Sequence, residues 1–186
     1  KRNGVQPELS VALYQYGNSG LSLESGYIQQ ILPLTTDLDA VSEKLFTLTT
    51  NGGEEYCGLV IRHAVQNLNW SESVNDLKII AIAGNEPFTQ GPVNYADACK
   101  EAVSKGVIVN TIHCGDDYNG IAGKWKDGSL LADGAYVCID HNARAITINA
   151  PQDKEIAELN AKLNTTYIPY GADGQKAINN QGDKVR

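Results

Sequence analysis

Methionine is absent from these 186 residues, and with "KRNGVQPELS" in place of an initiator the chain reads as a segment of a longer protein, any targeting signal lying upstream. Basic runs are also lacking. Fifteen Lys and Arg stand against 22 Asp and Glu, a formal net charge of -7, so nothing offers the phosphate neutralisation that nucleic acids or anionic membranes require. No apolar stretch approaches the roughly 18 residues needed to cross a bilayer, so no membrane span is expected. The four cysteines, Cys57, Cys99, Cys114 and Cys138, form no CxxC pair. That excludes a zinc ribbon, while reduced thiols and one disulfide of an oxidising compartment both stay open. Neither GxGxxG nor GxxxxGK occurs, and no internal repeat or low-complexity linker divides the chain.

What is present is the pattern of a globular α/β domain, 42% hydrophobic and 20% charged. One domain is expected over residues 1–164, with 165–186 as a tail that has no apolar periodicity. "ELSVALYQYGN" and "GYIQQILPL" alternate and are rich in β-formers, which predicts two neighbouring strands. The period then changes. Leu38, Val41, Leu45 and Leu48 fall on one helical face behind a Thr36 or Asp37 cap, and Cys57, Val60, Ile61, Ala64 and Leu68 form a second stripe after a Gly pair. "LKIIAIA" and "VIVNTIHCG" are continuous apolar runs of the kind buried on both faces. Between them "NYADACKEAVSKG" predicts a helix that buries Tyr95, Ala98, Cys99, Ala102 and Val103 and stops at Gly106, which gives a right-handed parallel crossover. "AYVCIDHNARAITINA" reads as a strand turning at His141-Asn142 into an antiparallel partner, and "DKEIAELNAKL" as a closing helix with Ile156, Leu159 and Leu163 on one side.

Three loops, "TTNGGEEYCG", "AGNEPFTQG" and "HCGDDYNG", fall where such sheets place their chemistry, beyond the carboxyl ends of strands. Each combines glycine with side-chain oxygens, and Glu54, Glu55, Asn85 and Glu86 are the candidate ligands for a hard divalent cation, Mg²⁺ or Ca²⁺. A plainer reading makes Glu54 and Glu55 partners of a helix N-terminus and Asp116 and Asp117 solvated turn residues. A phosphate cradle at "TNGGEEYCG" is disfavoured by its two glutamates and lack of cations. Cys57, at a helix start where a thiol pKa is lowered, and Cys114 are the candidate nucleophiles. His113 and Cys114 alternate on a strand and point to opposite faces, so they cannot activate each other. His63 is expected on the solvent side of its helix and His141 in a turn.

"VALYQYGN", "PLTTDLDAVSEKLFTLTTNGGEEYCGLVI", "LKIIAIAGNEPFTQGPVNY", "ACKEAVSKGVIVNTIHCG", "GKWKDGSLLADGAYVCIDHN" and "APQDKEI" together resemble, from about Leu9 to Leu163, a von Willebrand factor type A (vWA) domain of a bacterial group. The resemblance implies a Rossmann-like, doubly wound, mostly parallel sheet with helices on both faces and a metal-ion-dependent adhesion site at its top. In that family a DxSxS motif after the first strand, a Thr from a second loop and an Asp from a third hold the cation. Here Ala83 and Gly84 stand at the third-loop Thr-Asp positions, and Glu54 or Glu55 replaces the Thr, so the site is degenerate. The first strand and its DxSxS segment are not among these residues. The family places that strand between "SVALYQY" and "LKIIAIA", whose edges would otherwise be unpaired.

The function expected is a non-enzymatic module that binds a protein or other partner through the top loops, in the periplasm or at the cell surface. The alternatives are a Cys-dependent hydrolase or transferase, and a structural role in which the loops are only turns.

Overall fold

The computed structural model describes residues 8–49 and 51–140, together with 152, 155, 156, 158, 159, 161 and 162. Chain contacts divide it into two units, Lys1–Ala143 and Arg144–Arg186, and the architecture below is that of the first.

Strand β1 (Val11–Tyr16) pairs antiparallel with β2 (Ile28–Thr35) across a glycine-bearing turn and a short 3-10 segment, Leu23–Ser25. Helices α1 (Leu38–Thr47) and α2 (Cys57–Asn67) follow. A parallel sheet of β3 (Lys78–Gly84), β4 (Val107–Cys114) and β5 (Tyr136–Ile139) is wound through α3 (Tyr95–Ser104) and through α4 (Asp117–Ala122) and α5 (Trp125–Leu131). The pairing is in register from Lys78 opposite Val107 to Gly84 opposite His113. β5 then pairs parallel with β4, Thr111 opposite Tyr136. The antiparallel partner expected after His141-Asn142 lies outside the described residues, as does Leu163. Ile156 and Leu159 are exposed.

Strand alternation sorts the sheet into two faces. Ile82, Val107, Val109, Thr111 and His113 are buried under α2, α3 and α5, in a core with Cys57, Val60, Ile61, Phe88, Ala98, Cys99, Ala102 and Trp125. The 3.6-residue stripe of α2 accounts for this packing, with Val65 buried and Leu68 only partly covered at the cap. On α3 the predicted stripe holds for Ala98, Cys99 and Ala102, but Val103 is turned outward. The Gly106 backbone at φ 70° closes that helix, its N–H donating to the Val103 carbonyl at 2.8 Å.

Helix α1 departs from its pattern. Asp37 caps it, accepting the Ala40 N–H at 3.0 Å, yet none of its residues is buried, and Leu38, Leu45 and Phe46 are exposed. His63, expected on the solvent side, instead packs edge-on against Tyr14 with ring centroids 5.6 Å apart. The ring is apolar enough to shelve β1, so it faces inward.

The glycine-rich stretch "DDYNGIAGKWKDGSLL" carries no helical periodicity, yet two short helices form there. Asp116 caps α4 by accepting the Asn119 N–H at 2.9 Å, so it is a helix cap and not a free turn residue. Trp125 opens α5 and is fully buried.

Burial sets a contrast between two apolar residues. Ile61→Ala, at 0% exposure, should destabilise by about 2–5 kcal/mol. Phe46→Ala, at 87% exposure, should stay within about 0.5 kcal/mol of the parent. Urea midpoints of the two variants check this, and equal losses would mean that α1 is packed in solution.

Candidate functional site

The Glu55 carboxylate joins the second and third loops. It lies ahead of α2, and its Oε2 accepts the backbone N–H groups of Asn85 at 3.0 Å and Glu86 at 3.2 Å. Both donors sit just past β3, where the backbone leaves the sheet ladder and its amides need new partners. The tie is reinforced by Gln90, whose Oε1 accepts the Glu55 N–H at 2.9 Å while its Nε2 donates to Glu86 Oε2 at 3.4 Å. Asn85 Nδ2 donates to Glu86 Oε1 at 3.3 Å. Burial raises the Glu55 pKa and outweighs the two backbone bonds that lower it, and the Glu86 charge adds to the rise.

Below this tie the loop rests on aromatic residues. Trp125 Nε1 donates to the Glu86 carbonyl at 2.8 Å, and its ring packs on Phe88 and His113 at 4.9 and 5.7 Å. The Tyr16 hydroxyl donates to the Ala83 carbonyl at 2.6 Å. Gly84 is where these groups converge. A Cβ there would run into Glu55 Oε2 and lie 2.8 Å from Tyr16 Oη and 2.9 Å from Trp125 Cη2. Glu55 from the second loop therefore fills the space a third-loop side chain would take, which gives a physical reason for glycine at this position.

Three of the four candidate ligands, Glu55, Asn85 and Glu86, are thus brought together. Glu54 is not with them: it is exposed, and a hydrogen bond to it raises the pKa of the Tyr56 hydroxyl. Beside the tie opens a cavity of about 470 Å³ lined by Asn85, Glu86, His113, Cys114, Asp116 and Asn119, among others. Glu55 Oε2 already accepts two amides, and the two Glu86 carboxylate oxygens accept from Asn85 Nδ2 and Gln90 Nε2, so a hard cation here would compete with these bonds and complete its shell with water. No group of three or more His, Cys, Asp or Glu is placed to hold a metal among the described residues.

None of Cys57, Cys99 and Cys114 has the lowered thiol pKa that an activated nucleophile shows. Burial drives the Cys57 pKa well upward despite its position at a helix start, and it also pushes Cys99 up to about 12 and raises Cys114. The expectation of a lowered Cys57 pKa is corrected by desolvation, which exceeds the helix-end effect. All four cysteines are free. His113 is buried and Cys114 partly exposed on the opposite face, as strand alternation requires.

Tyr16, Gln90 and Trp125 escaped the sequence reading. For Trp125 there was a signal, a large apolar side chain in the polar stretch "GKWKDG", which the structure buries in the core. Tyr16 and Gln90 have no local signature, because their roles are set by partners 67 and 35 positions away.

The Gly84 packing is open to test by a double-mutant cycle. Gly84→Ala should destabilise by about 1–3 kcal/mol through overpacking, and the loss should shrink by at least about 0.5 kcal/mol in a Glu55→Ala background, where one of the three blocking groups is gone. Additive losses in urea unfolding would contradict the shared space.

No family model and no curated protein matches the chain. Solved structures do. An aerotolerance-related membrane protein from Bacteroides fragilis, carrying multiple mutations to serines, aligns at TM-score 0.54 and 15% identity over 75% of each chain. BatB from Bacteroides thetaiotaomicron aligns at TM-score 0.54 and 14% identity, over 87% of this chain and 82% of that one. The SpRpn10 VWA domain aligns at 0.53 and 18%, over 73% and 67%. With its parallel sheet, its helices and its loop edge in this arrangement, the chain has the fold of a von Willebrand factor type A domain.

Proposed function

We propose that the chain is a non-enzymatic binding module whose loop edge, at the carboxyl ends of β3 and β4, recognises a protein partner. The observation that carries this reading is the pre-arranged polar rim. Asn85 and Glu86 are held by Glu55, Gln90 and Trp125 beside an open cavity, so little loop ordering is lost on binding. A net charge of -7 and the carboxylates of Glu86 and Asp116 at the rim favour a partner surface rich in Lys or Arg. Mg²⁺ or Ca²⁺ enters this reading only with oxygen ligands beyond Glu55, Asn85 and Glu86, and the partner contact outlined here needs none. Periplasm or cell surface is the proposed location, in keeping with solved relatives described as an aerotolerance-related membrane protein and BatB. No helix among the described residues is long and apolar enough to cross a membrane.

A photoreactive residue placed at Thr89, on the cavity wall, should cross-link one discrete protein in the native source. Asn85→Ala with Glu86→Ala in the same chain should cut the yield at least about tenfold, the loss expected when central contacts are truncated. Equal capture from position 46, or undiminished capture by the double variant, would contradict the assignment.

Hydrolase or transferase chemistry through cysteine makes the opposite demand on the thiols. At pH 7 Cys57 and Cys99 should resist iodoacetamide until the protein is unfolded, because only the thiolate reacts and burial suppresses it. Rapid alkylation of Cys57 in the folded chain would revive the enzymatic reading.

A further inference from the structure

A second recess, of about 540 Å³, shares no lining residue with the cavity beside Glu86. Tyr56 and Leu59, three positions apart and so on one side of the start of α2, form its wall. Bare backbone packs on both. A Cβ at Gly26 would run into Leu59 Cδ2, and one at Gly91 would run into the Tyr56 ring. Leu23 and Pro92 complete the apolar lining, and both are exposed.

The turn that presents Leu23 is strained and firmly tied. Tyr27 holds φ at 56°, a left-handed conformation that a bulky side chain rarely adopts. Its N–H donates to the Ser22 carbonyl at 3.0 Å, its own carbonyl accepts the Gly17 N–H at 2.9 Å, and its ring meets Tyr56 edge-on with centroids 5.7 Å apart. Ser22 also accepts the Glu24 N–H through its hydroxyl and the Ser25 hydroxyl through its carbonyl. Strain of this kind persists only where the surroundings impose it, and it gathers at ligand clamps. Here it fixes a turn whose Leu23 side chain is 66% exposed, an arrangement that gains the fold little apolar burial.

Charge selects among occupants. Glu24 lines the recess, and Glu54 accepts a hydrogen bond from the Tyr56 hydroxyl. None of the described lining residues is Lys, Arg or His. An acidic peptide or an anionic headgroup would meet like charge there, whereas an aliphatic side chain with a cation beside it matches both the apolar wall and the carboxylates. The recess is open on one side, which suits one face of an extended segment better than a small molecule, most of whose surface must be enclosed.

We infer that this recess is a second docking site, for a segment of a protein partner in which an aliphatic side chain is followed directly by Lys or Arg. The aliphatic chain lies between Leu23, Leu59 and Pro92 against the Tyr56 ring, and the cation reaches Glu24 or Glu54. Glu55 turns to the Asn85-Glu86 loop while Tyr56, next in the chain, turns to the recess, so one partner can span both. The fixed turn and the packed wall leave little to order on binding. The inference rests on the reading of the chain as a protein-binding module, and it adds a contact outside the loop edge.

NMR titration of the full chain with the peptide acetyl-Gly-Leu-Lys-Gly-amide tests it. Saturable shifts are expected at Gly26, Tyr56, Leu59 and Gly91, with an affinity at least about tenfold above that of peptides in which Ala replaces Leu or Glu replaces Lys. Glu24→Lys, at an exposed position, should leave the urea midpoint unmoved and reverse the preference between the Lys and Glu peptides. No saturable shift at the recess, equal binding of the Glu peptide, or an unchanged preference in Glu24→Lys would overturn the proposal. Shifts confined to Asn85, Glu86 and Asn119 would put the peptide at the loop edge, overturning this inference while the proposed function stands. Failure of the cross-link from position 89 with recess binding intact would remove the loop-edge reading alone. Doubling of the mass in sedimentation, reversed by Leu23→Ser, would assign the recess to a second copy and overturn the partner named here.

Discussion

A single half-buried carboxylate organises the loop edge of this molecule. Glu55 has left water to accept two backbone amides, and desolvation makes its charged form less favourable than in solution even though both amides stabilise it. The arrangement persists because the alternative is worse: two amides just past β3 would be partly buried with no acceptor, each costing about 1–3 kcal/mol. Gly84, Gln90 and Trp125 make sense around that carboxylate. Gly84 leaves it space, Gln90 holds its backbone, and Trp125 anchors the Glu86 carbonyl on the other side of the loop. The linkage has a definite sign. Because the folded pKa is raised, folding favours protonated Glu55, so this group's contribution is complete below the ordinary carboxylate range and is lost as pH rises through the raised value.

The proposed binding role and a nucleophilic one make different demands on these loops. Nucleophilic chemistry needs a thiolate beside a base, and the buried thiols here are displaced toward the neutral form while His113 and Cys114 face apart. Recognition needs only fixed donors and acceptors around a recess, which the Asn85-Glu86 loop supplies.

Much of the fold was legible because burial and periodicity coincide. The α2 stripe, the two apolar strands and the α3 crossover are all written in local patterns whose partners lie on adjacent elements. α1 shows the opposite case: Leu38, Val41 and Leu45 have helical spacing, yet periodicity reports a face that could be buried and not whether something covers it. His63 was misjudged for a related reason, since imidazole is equally at home against water and against the Tyr14 ring. α4 and α5 were hidden by glycines at 120, 123 and 128, which argue for loop by propensity but stand in tight packing, Gly128 against the Phe88 ring. At the site, oxygen-bearing side chains beside glycines marked the loops in the sequence, and the structure brings Glu55, Asn85 and Glu86 together while Glu54 stays apart. Their mutual roles were not legible, because the tie between positions 55 and 85 is a tertiary contact with no sequence signature.

The most direct test of this account is a carbon-13 titration of the Glu55 carboxyl, followed together with the amide resonances of Asn85 and Glu86. The account predicts a midpoint above that of an ordinary glutamate, with both amides shifting at the same pH. An ordinary midpoint with no movement of either amide would show that Glu55 is solvated and that the loop edge is organised by something else.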